Sequence, residues 1–332
     1  MITNIQLLRG VAALMVVVFH LTMQMRPFGI DGSQVSFLQA GVDVFFVISG
    51  FIMVFVARQR ERGAGRFMAD RIIRIVPLYW LLTLAVYFSA VAETRPIGDL
   101  LRSLAFVPNG TAPLFNPLID GGWTLNLEVY FYAIFAVSLA VAGKEQQRFM
   151  IVVAVLVAVV AATLVVPGRY WPFYGNSIVF EFVIGMALAR LGERLKVIGP
   201  VTAWGMIIAG GLLIVFDPLV NLGSRLASYG GPAGLIVAGA LCLDSAGRRV
   251  TAPAALLLGA ISYALYLSHV LLFDAIGAGL GWPGAGAAPA LIGGVFSAAL
   301  LAALLIAWLA YSLFEQPVAN LLRRTLASSA RH

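Results

Sequence analysis

Apolar residues run in blocks of about twenty along most of the chain, and the polar positions between the blocks are few. Blocks of this length with no alternating polar face read as helices that cross a bilayer, not as core helices of a water-soluble domain. Ten are long enough, at approximately 5–25, 36–57, 73–92, 123–143, 149–166, 172–191, 201–217, 229–243, 254–273 and 288–312. The seventh and eighth are short and rich in glycine. The expected fold class is therefore all-α, a polytopic integral membrane protein of about ten helices. No internal repeat and no low-complexity segment interrupts the pattern, and the N-terminus, whose first charge is Arg9, does not read as a cleaved signal peptide.

Composition strengthens this picture. Of 332 residues, 61% are hydrophobic and only 11% charged, and mean hydropathy is +0.94. The net charge of +7 is no nucleic-acid signal, because the basic residues fall between apolar runs. With a cytoplasmic N-terminus, 17 Lys and Arg face the cytoplasm and 5 face outward, which favours both termini inside and an even number of spans. Trp123, Tyr170, Trp171 and Trp204 stand at expected span ends, as interfacial aromatics do. The densest basic stretch is the 58–72 connection, expected as a cytoplasmic loop. The longest outer connection is 93–122, with Pro96, Pro108, Pro113 and Pro117 and an amphipathic stretch at Leu100–Leu104. Residues 1–318 read as one transmembrane domain and 319–332 as a short basic cytoplasmic tail. One cysteine and three histidines exclude a multi-cysteine or His-rich metal site, so no metal is expected.

Charge inside the apolar blocks marks the candidate chemistry, since such groups are costly to bury in hydrocarbon. Arg9 and His20 lie in the first block, eleven residues apart. Three helical turns return them to nearly one face with roughly 16 Å of rise between them. Asp43 in the second block, Glu128 in the fourth and His269 in the ninth are expected with His20 within roughly 6–11 Å of the outer edge, a convergence that suits general-base chemistry with a carboxylate orienting an imidazole. Arg9, Arg71 and Arg74 are expected at the cytoplasmic mouth. Arg71 and Arg74, spaced i,i+3, share a helix face, and arginine forks suit phosphate oxygens. Each of these residues has a plainer use. Arg71 and Arg74 serve equally as positive-inside anchors, Asp43 and His20 as a structural pair, Glu128 as a loop orienter and His269 as an interfacial histidine. Glu181 is mid-span and unassigned. Intramembrane acids and histidines also suit a proton-coupled transporter, and a non-catalytic scaffold of a glycan-assembly complex is a third alternative.

Six segments together carry a resemblance. They are Leu8-Arg9-Gly10 through Phe19-His20, Gly41-Val42-Asp43-Val44-Phe45-Phe46-Val47-Ile48-Ser49-Gly50-Phe51, Arg71-Ile72-Ile73-Arg74, Trp123-Thr124-Leu125-Asn126-Leu127-Glu128, Tyr266-Leu267-Ser268-His269 and Phe314-Glu315-Gln316-Pro317. In this order they resemble the membrane-bound acyltransferase-3 family, within it the bacterial polysaccharide O-acetyltransferases. The resemblance implies a multi-pass enzyme of the bacterial cytoplasmic (inner) membrane. Acetyl-CoA would be the cytoplasmic acyl-donor co-substrate, with no tightly bound cofactor, and a polysaccharide or lipid-linked glycan the acceptor. Glycan-assembly machinery is an implied partner. By matching motif, His20 is implied as the catalytic histidine, with Asp43 and Glu128 as acidic catalytic candidates. Arg9, Arg71 and Arg74 are implied in acyl-CoA binding, while Trp123, Asn126 and His269 are acceptor-binding or supporting candidates.

Overall fold

A computed structural model of the protein describes residues 2–26, 32–60, 63–89, 95–109, 116–166, 168–217, 222–282, 284 and 286–329. The apolar blocks become helices: α1 (Thr3–Gln24), α2 (Ala40–Arg60), α3 (Ala64–Tyr87), the short amphipathic α4 (Ile97–Leu104), α5 (Trp123–Val141), α6 (Glu145–Ala162), α7 (Phe180–Arg190), α8 (Pro200–Val215), α9 (Gly231–Ser245), α10 (Pro253–Gly279), α11 (Pro289–Ala310) and α12 (Gln316–Ser329). Proline opens α8, α10 and α11, where its fixed φ suits the first turn and its missing N–H is not needed. Among the described residues there is no strand, and eight helical stretches are long and apolar enough to cross a membrane. The chain is an all-α polytopic membrane protein. The third and seventh expected blocks correspond to α3, whose first half carries Arg66, Asp70, Arg71 and Arg74, and to α8, which has only 16 residues.

Two expected connections differ from expectation. The basic 58–72 loop is mostly helix. α2 continues to Arg60 and α3 begins at Ala64, because Ala64 to Ile72 holds good helix formers and Gly63 supplies the extended residue before them. Arg71 consequently sits one turn from Phe67 and Ile75 on the buried face of α3. Arg58 is also engaged, forking onto Glu145 at the start of α6 at 2.6 Å and donating to the Ala189 carbonyl at 2.6 Å. In the 93–122 connection, the amphipathic stretch is α4. Buried Ser103 accepts there from the Asn109 side chain and from the Leu118 backbone, both at 3.0 Å. Pro113 lies outside the described residues. The expected tail from 319 is helical to Ser329, as part of α12.

Glycine decides how closely the helices approach. Where α1 crosses α10, a Cβ on Gly259 would lie 2.0 Å from the Gln6 carbonyl oxygen, and one on Gly10 would lie 2.9 Å from the Gly259 nitrogen. The α2–α7 crossing is built alike: a Cβ on Gly50 would meet the Phe182 carbonyl oxygen at 2.0 Å, and one on Gly185 the Val47 oxygen at 1.9 Å. Lipid tails are as apolar as leucine, so helices in a bilayer associate through such backbone-close packing more than through apolar burial. Around these crossings the aromatic core closes, with Phe182 stacked on Phe131 at 4.1 Å and tilted against Phe46 at 4.7 Å. A side chain at Gly259 must therefore push α10 off α1. We expect Gly259→Leu to lower the melting temperature of the detergent-solubilised protein by several degrees, in keeping with the usual overpacking cost of about 1–3 kcal/mol. Gly205→Leu, at a site where an added Cβ meets nothing within 4 Å, should leave it unchanged; equal melting of the two variants would refute the crossing's importance.

Candidate active site

The residues on the facing sides of α1, α2, α3, α5 and α10 enclose a cavity of about 250 Å³. Arg9, Arg71 and Arg74 all line it, so the three arginines expected at one mouth do meet. Glu128 lines it too, and Glu315 lies close enough to act electrostatically on Arg9 and Arg74. Arg9 is held by Gln6 one turn back, at 3.2 Å, and by Ser262 across the α1–α10 crossing, at 3.1 Å. The Ser262 hydroxyl in turn donates to the Gly259 carbonyl at 2.8 Å. Glu128 accepts from the Ser49 hydroxyl at 3.0 Å and from the hydroxyl of Tyr132, one turn along its own helix, both on the same oxygen. Arg71 is 9% exposed and lies over the rings of Phe67 and Tyr132, with its carbon 5.7 and 5.8 Å from their centroids. Its Nε is buried with no hydrogen-bond partner. A buried cationic donor left unpaired is costly.

His20 lies further along α1 and does not line this cavity. Its Nδ1 is 3.0 Å from Nε2 of His269, and His269 Nδ1 is 3.0 Å from the Leu265 carbonyl oxygen. The two rings are 5.1 Å apart. His269 is fully buried. The link to the cavity is Tyr266, which lines the cavity and whose ring is 6.0 Å from that of His269. Its hydroxyl is held 3.1 Å from the Gly121 carbonyl and 2.9 Å from the Thr124 hydroxyl. Along α10, Ser262, Tyr266 and His269 thus form one stripe, each a turn beyond the last, from Arg9 at one end to His20 at the other.

The expected convergence of two acids and two histidines is corrected by these positions. The histidines meet, but neither carboxylate orients His20. Glu128 belongs to the arginine cavity. Asp43, fully buried, faces the 222–230 segment, where Arg225 forks onto it with Nε–Oδ1 at 3.0 Å and Nη2–Oδ2 at 2.8 Å. The cause is rotational. The Gly50–Gly185 crossing turns the start of α2 toward α7 and the 222–230 segment, and a buried carboxylate takes the nearest guanidinium fork. Glu181 is fully buried against Gly230, beside this pair. Trp123 opens α5 and packs edge-on against Phe46 at 6.5 Å. Asn126 is 1% exposed, and both polar atoms of its side chain lack a hydrogen-bond partner. Among the described residues no cluster of His, Cys, Asp and Glu is arranged to hold a metal.

Two members of this site lie outside the quoted motifs. Tyr132 stands four residues after Glu128 and Ser262 seven before His269, so helical periodicity alone places them on those faces. Tyr266, inside the last-but-one motif, is the link that the motif did not assign. Arg225 carries no local signal of its pairing. Ser49 has none either.

Comparison with known proteins agrees with the geometry. A family profile described as an acyltransferase domain matches residues 2–312. The exopolysaccharide production protein ExoZ of Rhizobium meliloti is 35% identical over 311 residues, covering 86% of this chain and 90% of that protein. The acyltransferase MdmB of Streptomyces mycarofaciens is 26% identical over 85% of this chain and 81% of its own length. A putative peptidoglycan O-acetyltransferase of Bacillus subtilis, YrhL, is 27% identical over 55% of this chain, which is 32% of that longer protein. No solved structure matches the chain significantly. A profile that runs nearly end to end over a helical bundle with these polar stations makes this chain a member of the membrane-bound acyltransferase-3 family.

Proposed function

We propose that the protein is an O-acetyltransferase of a bacterial cytoplasmic membrane, moving acetyl from cytoplasmic acetyl-CoA to a hydroxyl of an exported polysaccharide or its lipid-linked precursor. The observation that carries this reading is the single cavity holding Arg9, Arg71 and Arg74, joined through Tyr266 to the His20–His269 pair. Three guanidinium groups against two carboxylates, Glu128 in the lining and Glu315 beside Arg9 and Arg74, make a net cationic pocket suited to the phosphates of CoA. The unpaired Nε of buried Arg71 is a ready donor for one of those oxygens. Arg9 and His20 are separated by eleven residues of one helix, a rise of roughly 16 Å, and a pantetheine arm is of comparable length. The nucleotide can therefore stay at the arginines while the thioester passes Tyr266 to reach His20. The exopolysaccharide and peptidoglycan assignments of the relatives support a carbohydrate acceptor.

In this reading His20 is the general base. It takes the proton of the acceptor hydroxyl, the oxygen forms a bond to the thioester carbonyl carbon, and the carbon–sulfur bond breaks. The departing thiolate recovers the proton from His20. Glu128, fixed by Ser49 and Tyr132, stays among the arginines and limits their mutual repulsion, and Asp43 holds the outer part of the bundle through Arg225. Trp123 and Asn126, at the start of α5, are the acceptor-side candidates. Asn126 has both polar atoms free for a sugar hydroxyl. Family membership favours group transfer over proton-coupled transport.

Acetyl transfer from labelled acetyl-CoA to the cell's own glycan, measured with protein in nanodiscs, tests the base. His20→Ala should lower the rate by about 10²–10⁴-fold, the usual contribution of such a group, while acetyl-CoA still binds. Wild-type rates from this variant would remove His20 from the chemistry. Donor binding is a separate measurement. Arg71→Ala should weaken acetyl-CoA by about tenfold or more, since a hydrogen bond to a charged group is worth about 1.5–3 kcal/mol, and the loss should shrink for a donor lacking the 3′-phosphate or the diphosphate if Arg71 holds that group. An unchanged Kd in calorimetry would move the nucleotide elsewhere.

A further inference from the structure

His269 offers its neighbour something an acidic partner does not. A backbone carbonyl can only accept, so the 3.0 Å contact from His269 Nδ1 to the Leu265 oxygen requires the proton on that nitrogen. Neutral His269 then has a bare lone pair on Nε2. The 3.0 Å contact from that atom to Nδ1 of His20 requires a proton on His20 Nδ1 in its turn. Two neutral rings in series leave one free lone pair, on Nε2 of His20. The ring that sets this order cannot easily turn. His269 is fully buried, with Tyr266 and Phe273 edge-on to it at 6.0 and 5.8 Å.

We propose that His269 is the positioning residue for His20. It passes the polarity of the Leu265 carbonyl through its own imidazole, and so presents the lone pair of His20 Nε2 to the reacting hydroxyl. The inference rests on the reading of His20 as general base, and it assigns a role to a residue whose motif gave only a supporting position. In the serine protease arrangement an aspartate holds the histidine tautomer. Here a neutral ring does so, and the order of protons is fixed by the helix backbone of α10. During transfer the bond from the hydroxyl hydrogen to oxygen breaks and a bond to His20 Nε2 forms. His20 Nδ1–H stays bonded to His269 Nε2, so no proton need leave the pair. When the thiolate takes the proton from Nε2, both rings return to their starting tautomers. A side chain merely filling space at position 269 would take away the acceptor that His269 Nε2 offers to His20 Nδ1.

Two measurements test this, and the first needs no acyl donor. Nitrogen-15 spectra of histidine-labelled protein, recorded at about pH 8.5 so that the rings are neutral, report which nitrogen of each ring is protonated. His20→Ala identifies the His20 signals. Wild type should show His20 protonated at Nδ1 and bare at Nε2; a His20 protonated at Nε2 overturns the proposal by itself, whether or not any variant folds. The second is kinetic. His269→Leu should lower kcat by about 10–100-fold, the range typical of a partner that orients a reacting histidine, with KM for acetyl-CoA unchanged. His269→Gln places an amide oxygen near the Nε2 position as an acceptor, and it should restore most of kcat and the His20 spectrum together. An unchanged kcat in His269→Leu, or a His269→Gln that regains the spectrum without the rate, refutes the positioning role. Should wild type show the expected tautomer while His20→Ala keeps full transfer activity, the general-base reading fails and the tautomer assignment stands.

Discussion

The close crossing of α1 and α10 at Gly10 and Gly259 governs the rest of the structure. Two helices that touch backbone to backbone cannot slide past one another without collision, so their register is set to within a fraction of a turn. That register puts Arg9 against Ser262 and, eleven residues on, His20 against His269. The two stations belong to one rigid interface, and the distance between them is the helix rise itself. A wider crossing filled with leucine would tolerate slippage, and slippage of one turn would separate both pairs at once. In a bilayer such an interface owes its strength to dispersion and hydrogen bonding at short range, which is why small residues and polar side chains share it.

A second constraint sorts the buried charges into two kinds. Asp43 is fully buried and answered by both nitrogens of a guanidinium fork, and Glu128 is answered by two hydroxyls. These groups are satisfied within the protein. Arg71 is different: it rests on two aromatic rings, which favour a cation, yet its Nε has no acceptor. Asn126 is likewise buried with both polar atoms idle. Glu181, beside the Asp43–Arg225 pair, is also buried with neither carboxylate oxygen hydrogen-bonded, so an unpaired polar atom is a cost that several parts of the bundle carry. At the arginine cavity, the substrate proposed above would offset it.

Much of this was legible in the residues. The helical class and the membrane location follow from hydropathy, which is local information, and the meeting of Arg9 with Arg71 and Arg74 follows from counting spans, which brings the starts of α1 and α3 to one side. The pairing of Asp43 was not legible. Depth along a helix can be counted from its ends, but azimuth depends on which neighbour the helix packs against, and the glycine crossing of α2 with α7 decides that. Hence four groups placed at similar depth separate into three sites. The 58–72 segment misled for another reason. Its arginines look like loop residues by charge, yet arginine is a good helix former: α2 takes up Arg58 and Arg60, and α3 takes up Arg66 and Arg71. Tyr132, Ser262 and Tyr266 lay within reach of simple periodicity, whereas Arg225 needed the folded chain.

The choice of a histidine instead of a carboxylate behind His20 follows from the medium. A carboxylate placed there would be a full charge in a water-poor interior, with a desolvation cost of several kcal/mol unless a cation answered it. Asp43 already has Arg225, and releasing it would strand a guanidinium group. An imidazole orients its neighbour with no net charge at all. It also draws its polarity from a backbone carbonyl, which any helix supplies at i−4 to a histidine of the right rotamer, so the arrangement needs no further polar residue in the bilayer. In the proposed transfer, a cation on His20 would be met by the hydrogen bond to His269, by the Val16 carbonyl and by the field of Asp120. On the mechanism proposed above, such a base suits a thioester donor, whose leaving group departs readily and needs little help beyond the return of one proton.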